Sequence, residues 1–359
     1  MASLPRARKG RGATFNPPNR FERTAAEPFD DGWGTMERAE GEAPAVRTEV
    51  LPDASRSVIA RNASPDIPFD QSINPYRGCE HGCIYCYARP SHAYLGLSPG
   101  LDFETRLFAK HDAAALLEKE LLRPGYRCST IALGANTDPY QPVERRLGIT
   151  RGILEVLARC RHPVGIVTKS AAVTRDLDLL GDLAADGLAR VFLSITTLEP
   201  DLARRMEPRA AAPHRRLEAV RALSAAGVPV GVMMAPIIPG LNDAEIEAVL
   251  GAAADAGAEQ AGYVLLRLPH EIKDLFQGWL EEHAPLRAGR ILALVRACRD
   301  GRLNDSQFGR RKVGVGPYAQ MIARRFELAA RRTGLDRRRS PLRTDLFRPP
   351  ADAAQLSLL

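Results

Sequence analysis

A run of three closely spaced cysteines constrains this chain more than any other feature of its sequence. Cys79, Cys83 and Cys86 lie within eight residues, with three residues between the first pair and two between the second. A short loop can therefore direct three thiolates at one centre, and Gly78 and Gly82 permit the backbone angles that such a loop needs. Soft sulfur ligands select iron–sulfur clusters, zinc or copper(I).

The number of cysteines in this loop bears on which metal it holds. Structural zinc sites take four protein ligands, and their cysteines usually come as two separated pairs. This chain contains no second CxxC pair. Three cysteines on a four-iron cluster leave one iron with an open coordination position, where chemistry can occur. A zinc loop completed by His81 or by a distant residue stays open as an alternative.

The spacing Cys-x3-Cys-x2-Cys, with Tyr85 directly before the third cysteine, resembles the cluster loop of the radical S-adenosylmethionine (SAM) superfamily. In that family three such cysteines hold a [4Fe–4S] cluster whose fourth iron chelates SAM. An electron from the cluster then cleaves SAM to a 5′-deoxyadenosyl radical. The resemblance implies that Cys79, Cys83 and Cys86 are the metal ligands. It also implies [4Fe–4S] and SAM as cofactors, and an external electron donor.

Beyond residue 73, short apolar runs alternate with segments of helical periodicity. Six consecutive β/α units imply a parallel sheet with right-handed crossovers, which can close into a barrel or stay open. The resemblance favours the partial (β/α)6 barrel, similar to a TIM barrel, of radical SAM enzymes. The predicted strands are 71–76, 128–133, 164–168, 191–196, 229–235 and 260–268, and the helices between them are 109–123, 149–160, 174–186, 213–226 and 244–256.

Composition divides the chain into four parts. The first part is rich in Arg, Gly, Pro, Asp and Glu without periodic hydrophobic residues, which predicts a largely disordered arm. The barrel, a helical C-terminal extension and a disordered basic tail follow it. The boundaries are 1–60, 61–270, 271–335 and 336–359. Aromatic residues that could fix parts of the arm are Phe15, Phe21, Phe29 and Trp33.

Further candidate site residues follow the predicted strands, because the active sites of parallel α/β folds lie at the carboxyl ends of the strands. The run 136–144 after the second strand resembles the branch of the superfamily related to spore photoproduct lyase, whose members are similar to DNA repair photolyases. The resemblance implies SAM contacts from Tyr85, Asn136, Lys169, Ser194 and Ile237. It places Asn136 at the amino group, Lys169 at the carboxylate, Ser194 at the ribose and Ile237 at the adenine.

These candidates also have plain structural interpretations. The Asn-x-Asp-Pro pattern at Asn136 builds an ordinary turn. Lys169 could be a surface lysine, and Ile237 could pack in the core. The loop 134–138 lacks the hydrogen-donating cysteine that spore photoproduct lyases carry there. We therefore do not expect spore photoproduct lyase activity itself.

The predicted function is that of a radical SAM enzyme, lyase- or oxidoreductase-like, with an unassigned substrate. A net charge of +7 permits nucleic acid as that substrate without demonstrating it. With no secretory signal and no long apolar run, we expect a soluble, cytoplasmic chain without a membrane partner. The alternative function is a non-catalytic, metal-stapled protein that binds nucleic acid through its basic termini and the loop 310–312.

Overall fold

The structure is a computed structural model that describes residues 9–21, 47–337 and 340–350. Two of the aromatic residues expected to fix the arm, Phe29 and Trp33, lie outside the described residues. Within the described ranges, no helix is both long enough and apolar enough to span a membrane.

The centre of this mixed α/β fold is a seven-stranded sheet. The strands are β1 Glu49–Pro52, β2 Ile59–Arg61, β3 Gln71–Ile73, β4 Tyr76–Arg77, β5 Arg106–Ala109, β6 Ile131–Leu133, β7 Val164–Thr168, β8 Ala189–Ser194, β9 Val230–Ile237 and β10 Gln260–Leu265. The order in the large sheet is β10-β9-β8-β7-β6-β3-β2. The strands β3, β6, β7, β8, β9 and β10 run parallel in chain order, and β2 is an antiparallel edge strand. Their carboxyl ends therefore share one edge.

All six predicted strands are present, and each predicted helix between them is present with ends shifted by a few residues. The first helix begins at Ala113 instead of 109, because Arg106–Ala109 forms strand β5 of a second, small sheet with β1 and β4. The α-helices are Leu101–Thr105, Ala113–Leu121, Glu144–Leu147, Ile149–Arg159, Leu177–Ala185, Pro200–Met206, Pro213–Ala225, Ile246–Asp255, Ile272–His283, Pro285–Ala297 and Gly316–Thr333.

The main hydrophobic core lies between the large sheet and its helices. In β8, Val191 and Leu193 are completely buried while their neighbours Arg190 and Phe192 are half-buried, as the two-residue period of a strand requires. Helix Ile149–Arg159 buries an apolar stripe against the sheet. This packing fixes where each strand ends, and so where the loops at the carboxyl edge begin.

The chain beyond helix Gly316–Thr333 runs past the amino-terminal ends of the strands. The Arg343 N–H donates to the carbonyl of Gly187, just before β8 (3.1 Å). The ring of Phe347 packs against His162, just before β7, with ring centres 5.3 Å apart. The described part of the expected disordered tail is thus held to the edge of the sheet opposite the cysteine loop.

The segment 9–21 also departs from the expected disordered arm. Ala13 is completely buried, and the Asn19 side chain donates to the carbonyl of Ala93 (2.9 Å). This segment lies against the cysteine loop and the residues that follow it. Buried side chains with defined partners account for its order, and Phe15, one of the aromatic residues expected to fix the arm, packs against the apolar cluster that includes Cys83 and Ile84.

We predict that His162 makes the stability of the protein depend on pH. Burial lowers the pKa of this completely buried imidazole from the ordinary 6.5 to about 4. Since the folded pKa is depressed, its contribution is fully present above pH 6.5 and is lost as the pH falls towards 4. The loss should be about 3 kcal/mol.

Urea unfolding of the wild type and of His162→Phe across this pH range tests the prediction. The substitution should lower stability at neutral pH and flatten the fall in unfolding free energy on acidification. Equal slopes for the two proteins would show that His162 does not control this dependence.

Candidate metal and cofactor site

The cysteine loop begins directly after β4 and is held on both sides by backbone hydrogen bonds. The Cys79 N–H donates to the carbonyl of Phe103 (2.9 Å), and the Ile84 N–H donates to the carbonyl of Met206 (3.0 Å). Gly78 has a φ of +78°, and a Cβ there would lie 2.9 Å from the Phe103 carbonyl oxygen. A larger residue would therefore strain the loop at its entrance.

The three cysteines are sheltered from water. Cys79 and Cys83 are each 7% exposed, and Cys86 is half-buried. Burial raises the pKa of Cys83 to about 12 and raises that of Cys79 well above its usual range. Among the described residues, no group of three or more His, Cys, Asp or Glu side chains could hold a metal ion. Neither the three cysteines by themselves nor the three together with His81 form such a group, and Nδ1 of His81 contacts Asp138 instead (3.3 Å).

A buried ion pair braces the loop from behind. Arg89 and Glu104 are both completely buried and contact each other through Nη2 and Oε1. The Arg89 guanidinium also donates to the carbonyl of Cys83 (2.9 Å). Glu104 accepts from the N–H groups of Gly12 (3.0 Å) and Ala13 (2.8 Å). The N-terminal segment, the loop and the following turn are thereby joined through one pair of charges.

The loop after β6 turns its polar residues towards the cysteine loop. The Asp138 carboxylate contacts Nδ1 of His81 (3.3 Å) and accepts from the Thr168 hydroxyl (2.7 Å) and the Lys169 N–H (2.7 Å). Burial alone would raise the pKa of Asp138, but His81 and these hydrogen bonds outweigh it and lower the pKa to about 2. The Gln141 side chain accepts from the Glu80 N–H, which has no strand partner.

A second buried network supports the tyrosine that precedes the third cysteine. The Tyr85 hydroxyl donates to Glu207, which also accepts from the Thr196 hydroxyl (2.6 Å) and pairs with buried Arg216. Burial would raise the pKa of Glu207, but Arg216 and Lys169 outweigh this and lower it. The Tyr85 ring is thus fixed at the carboxyl end of β8.

The predicted SAM contacts lie at the carboxyl edge of the large sheet, and they differ in how deeply their side chains are buried. Nζ of Lys169 lies 5.7 Å from the ring centre of Tyr85, which is 6% exposed. Asn136 is exposed, and its N–H donates to Asn74 (2.8 Å). Ser194 ends β8 and is buried, and Ile237 ends β9 within the main core. Core packing accounts for the Ile237 side chain, and the predicted cofactor roles of all five residues stay predictions.

Sequence reasoning missed several side chains that hold the site. No motif marks Arg89 or Glu104, because the two meet only through the fold. Glu207 and Arg209 also reach the loop, where Glu207 accepts from the Tyr85 hydroxyl and Arg209 pairs with Glu80. Cys128 precedes β6 and so lies at the amino-terminal end of the sheet, away from the cysteine loop.

We predict that Glu104→Ala destabilises the protein by about 3–5 kcal/mol, since it leaves the buried Arg89 cation without a counter-charge. The same change should lower the amount of iron that the protein retains, because Arg89 orders the cysteine loop. Guanidinium unfolding and iron analysis measure the two effects. The matched control is Glu218→Ala, which removes an exposed helix ion pair and should change neither quantity appreciably. A Glu104→Ala protein as stable as this control would contradict the bracing role.

Comparison with known proteins places this geometry in a family. Residues 73–253 match the family model described as the radical SAM superfamily. An uncharacterized protein of Mycobacterium tuberculosis is 39% identical over 232 residues, which is 64% of this chain and 68% of that protein. An uncharacterized protein of Methanocaldococcus jannaschii is 29% identical over 173 residues, 48% of this chain and 62% of that protein.

Solved structures of spore photoproduct lyase share the fold. A variant solved with dinucleoside spore photoproduct has a TM-score of 0.54 and 17% identity, covering 88% of this chain and 85% of the other. A second variant was solved with bound AdoMet and the same dinucleoside. It has a TM-score of 0.53 and 18% identity, and the match covers 79% of this chain and 77% of the other. The family-model match spans half of the chain and includes the three-cysteine loop, so this chain belongs to the radical SAM superfamily.

Proposed function

We propose that this protein is a radical SAM enzyme in which Cys79, Cys83 and Cys86 hold a [4Fe–4S] cluster. The observation that carries the proposal is the position of these cysteines: one braced, water-excluded loop at the carboxyl edge of a parallel sheet, in a chain of this superfamily. We also propose that the six parallel strands curve into a partial (β/α)6 barrel. The parts 61–270 and 271–335 would then be the barrel and its helical extension.

The donor set of the loop fits an iron–sulfur cluster. Thiolates are the ligands of such clusters, and three from one loop leave one iron open. The raised pKa values of Cys79 and Cys83 mean that these thiols keep their protons until iron binds and displaces them. When bound and reduced, the cluster supplies the electron that cleaves SAM to methionine and a 5′-deoxyadenosyl radical.

The residues of this chain would bind and orient SAM and exclude water. Lys169, fixed through its own N–H by Asp138, presents its ammonium beside Tyr85, where it would pair the SAM carboxylate. Asn136 would receive the amino group, Ser194 the ribose and Ile237 the adenine. Asn136 and Lys169 follow adjacent parallel strands, so their side chains can approach one small molecule from neighbouring positions.

The substrate proposal is a nucleic acid or one of its components, with reduction of the cluster by an external electron donor. The net charge of +7 is compatible with a polyanion. Solved spore photoproduct lyase structures contain a dinucleoside photoproduct, but likeness to them at 17–18% identity extends to the fold alone. Because the loop 134–138 has no cysteine, the reaction proposed here is not that of spore photoproduct lyase.

We predict that replacing any one of Cys79, Cys83 and Cys86 by alanine abolishes iron retention and 5′-deoxyadenosine formation. Each substitution removes one of only three protein ligands. The assay is anaerobic reconstitution with iron and sulfide, then SAM and dithionite, with iron analysis and chromatography of the nucleoside. Cys128→Ala, which alters a cysteine at the far end of the sheet, is the control and should behave as wild type. Iron content and SAM cleavage that survive any of the three substitutions would contradict the proposal.

We predict that Lys169→Met weakens SAM binding about tenfold or more, because the SAM carboxylate loses a charged hydrogen-bond donor. The cluster content should stay at the wild-type level, since Lys169 is not a ligand. Anaerobic equilibrium dialysis of the reconstituted protein with SAM measures the affinity. Lys119→Met, on the exposed face of helix Ala113–Leu121, is the matched control. Unchanged SAM affinity in Lys169→Met would show that another residue binds the SAM carboxylate.

A further inference from the structure

A cation that forms no ion pair with any of the described residues lies at the end of the sixth parallel strand. Arg267 follows β10, and its guanidinium carbon lies 5.7 Å from the ring centre of Tyr87, the residue after the third cysteine. Its Nε is buried without a hydrogen-bond partner in the described part of the chain. Burying this donor is costly, and because Arg267 as a whole is only half-buried, a charge-assisted hydrogen bond from its guanidinium to an anion would offset that cost.

A second arginine places more positive charge directly behind this position. Arg299 is 1% exposed and donates to the carbonyls of Leu265 (3.1 Å), Leu266 (2.7 Å) and Arg311 (2.8 Å). None of these partners carries a negative charge. Arg299 therefore fastens the loop that contains Arg311 to the end of β10, with no ion-pair partner among the described residues and with Asp305 as the carboxylate that attracts its charge.

The basic loop at 308–312 adds to this charge. Arg311 pairs with the carboxylate of Asp66, and the ammonium of Lys312 donates to the Asp66 carbonyl. Arg310 is neutralised separately by Asp300 and Asp305. Among the described residues, the cations Arg267, Arg299, Arg310, Arg311 and Lys312 thus face three carboxylates, those of Asp66, Asp300 and Asp305. The surplus of positive charge is concentrated where the sheet edge meets the cysteine loop.

Two exposed aromatic rings flank these cations. Tyr87 is 48% exposed beneath Arg267, and Phe308 is 52% exposed with the Arg311 guanidinium 4.6 Å from its ring centre. Arginines that stack on solvent-exposed aromatic rings, beside cations that can reach a phosphate, are typical of surfaces that bind single-stranded nucleic acid. A surface that bound only a small anion would not need the rings.

We propose that Arg267, supported by Arg299 and flanked by Arg311 and Lys312, binds a backbone phosphate of a single-stranded nucleic acid whose bases stack on Tyr87 and Phe308. This inference rests on the proposed function, since it names the substrate class of that site. The subsite is separate from the SAM carboxylate position. Lys169 follows β7 and Arg267 follows β10, three strand spacings away, or about 14 Å along the sheet.

The test is fluorescence anisotropy of the reconstituted protein with a labelled single-stranded oligonucleotide of about 10 nucleotides. Arg267→Gln should weaken binding about tenfold to a hundredfold, as loss of a charged hydrogen bond predicts. It should also reduce the slope of log affinity against log salt by about 0.7, the value for one phosphate on a single strand. Arg215→Gln, which removes an exposed arginine on helix Pro213–Ala225, is the matched control and should bind as wild type.

Parallel measurements separate this inference from the proposed function. Iron content and uncoupled 5′-deoxyadenosine formation are measured on the same preparations of wild type, Arg267→Gln and Arg215→Gln. If both proteins cleave SAM but bind the oligonucleotide equally, the phosphate subsite is wrong and the enzyme proposal stands. Nucleoside monophosphate binding as tight as that of the oligonucleotide would also overturn the inference in favour of a small phosphate ester. Should Arg267→Gln melt at a lower temperature, Arg267→Lys, which keeps the charge, should retain the wild-type salt slope.

Discussion

The site depends on how an irregular loop satisfies its backbone polar groups. The cysteine loop lies outside the sheet ladders, so its buried carbonyls need donors from elsewhere. Arg89 supplies them, donating to the carbonyls of Gly82 and Cys83 while Glu104 balances its charge. Glu104 in turn captures two N–H groups of the N-terminal segment. A charge pair that is expensive to bury thus holds the cysteine loop against the N-terminal segment.

The balance of charged side chains differs between the two ends of the carboxyl edge of the sheet. Near β7 and β8, buried carboxylates at Asp138 and Glu207 are fully engaged and keep Lys169 and Tyr85 in position. Near β10, the balance of charge reverses, and arginines outnumber carboxylates. Such a division suits an enzyme that must hold a small zwitterionic cofactor on one side and admit an anionic substrate on the other. The cysteine loop precedes both regions in sequence and contacts them through Tyr85 and Tyr87.

Much of this arrangement follows from local sequence. The six strands are recognisable because buried parallel strands such as Val164–Thr168 are short apolar runs between helical segments. The cysteines are recognisable because metal ligation requires a fixed spacing. The small sheet was missed since Arg106–Ala109 pairs with strands far from it in sequence, and nothing within those four residues distinguishes them from a helix end. The ordered part of the N-terminal arm was missed for the same reason: its partner Glu104 is about ninety residues away.

Spectroscopy of the wild-type protein tests the central claim most directly. After anaerobic reconstitution, iron and sulfide analysis should give about four of each per chain. Dithionite reduction should give the electron paramagnetic resonance signal of a reduced [4Fe–4S] cluster, and SAM should change that signal because it binds the open iron. A protein that takes up zinc in preference to iron, or a cluster signal that SAM leaves unaltered, would contradict the account.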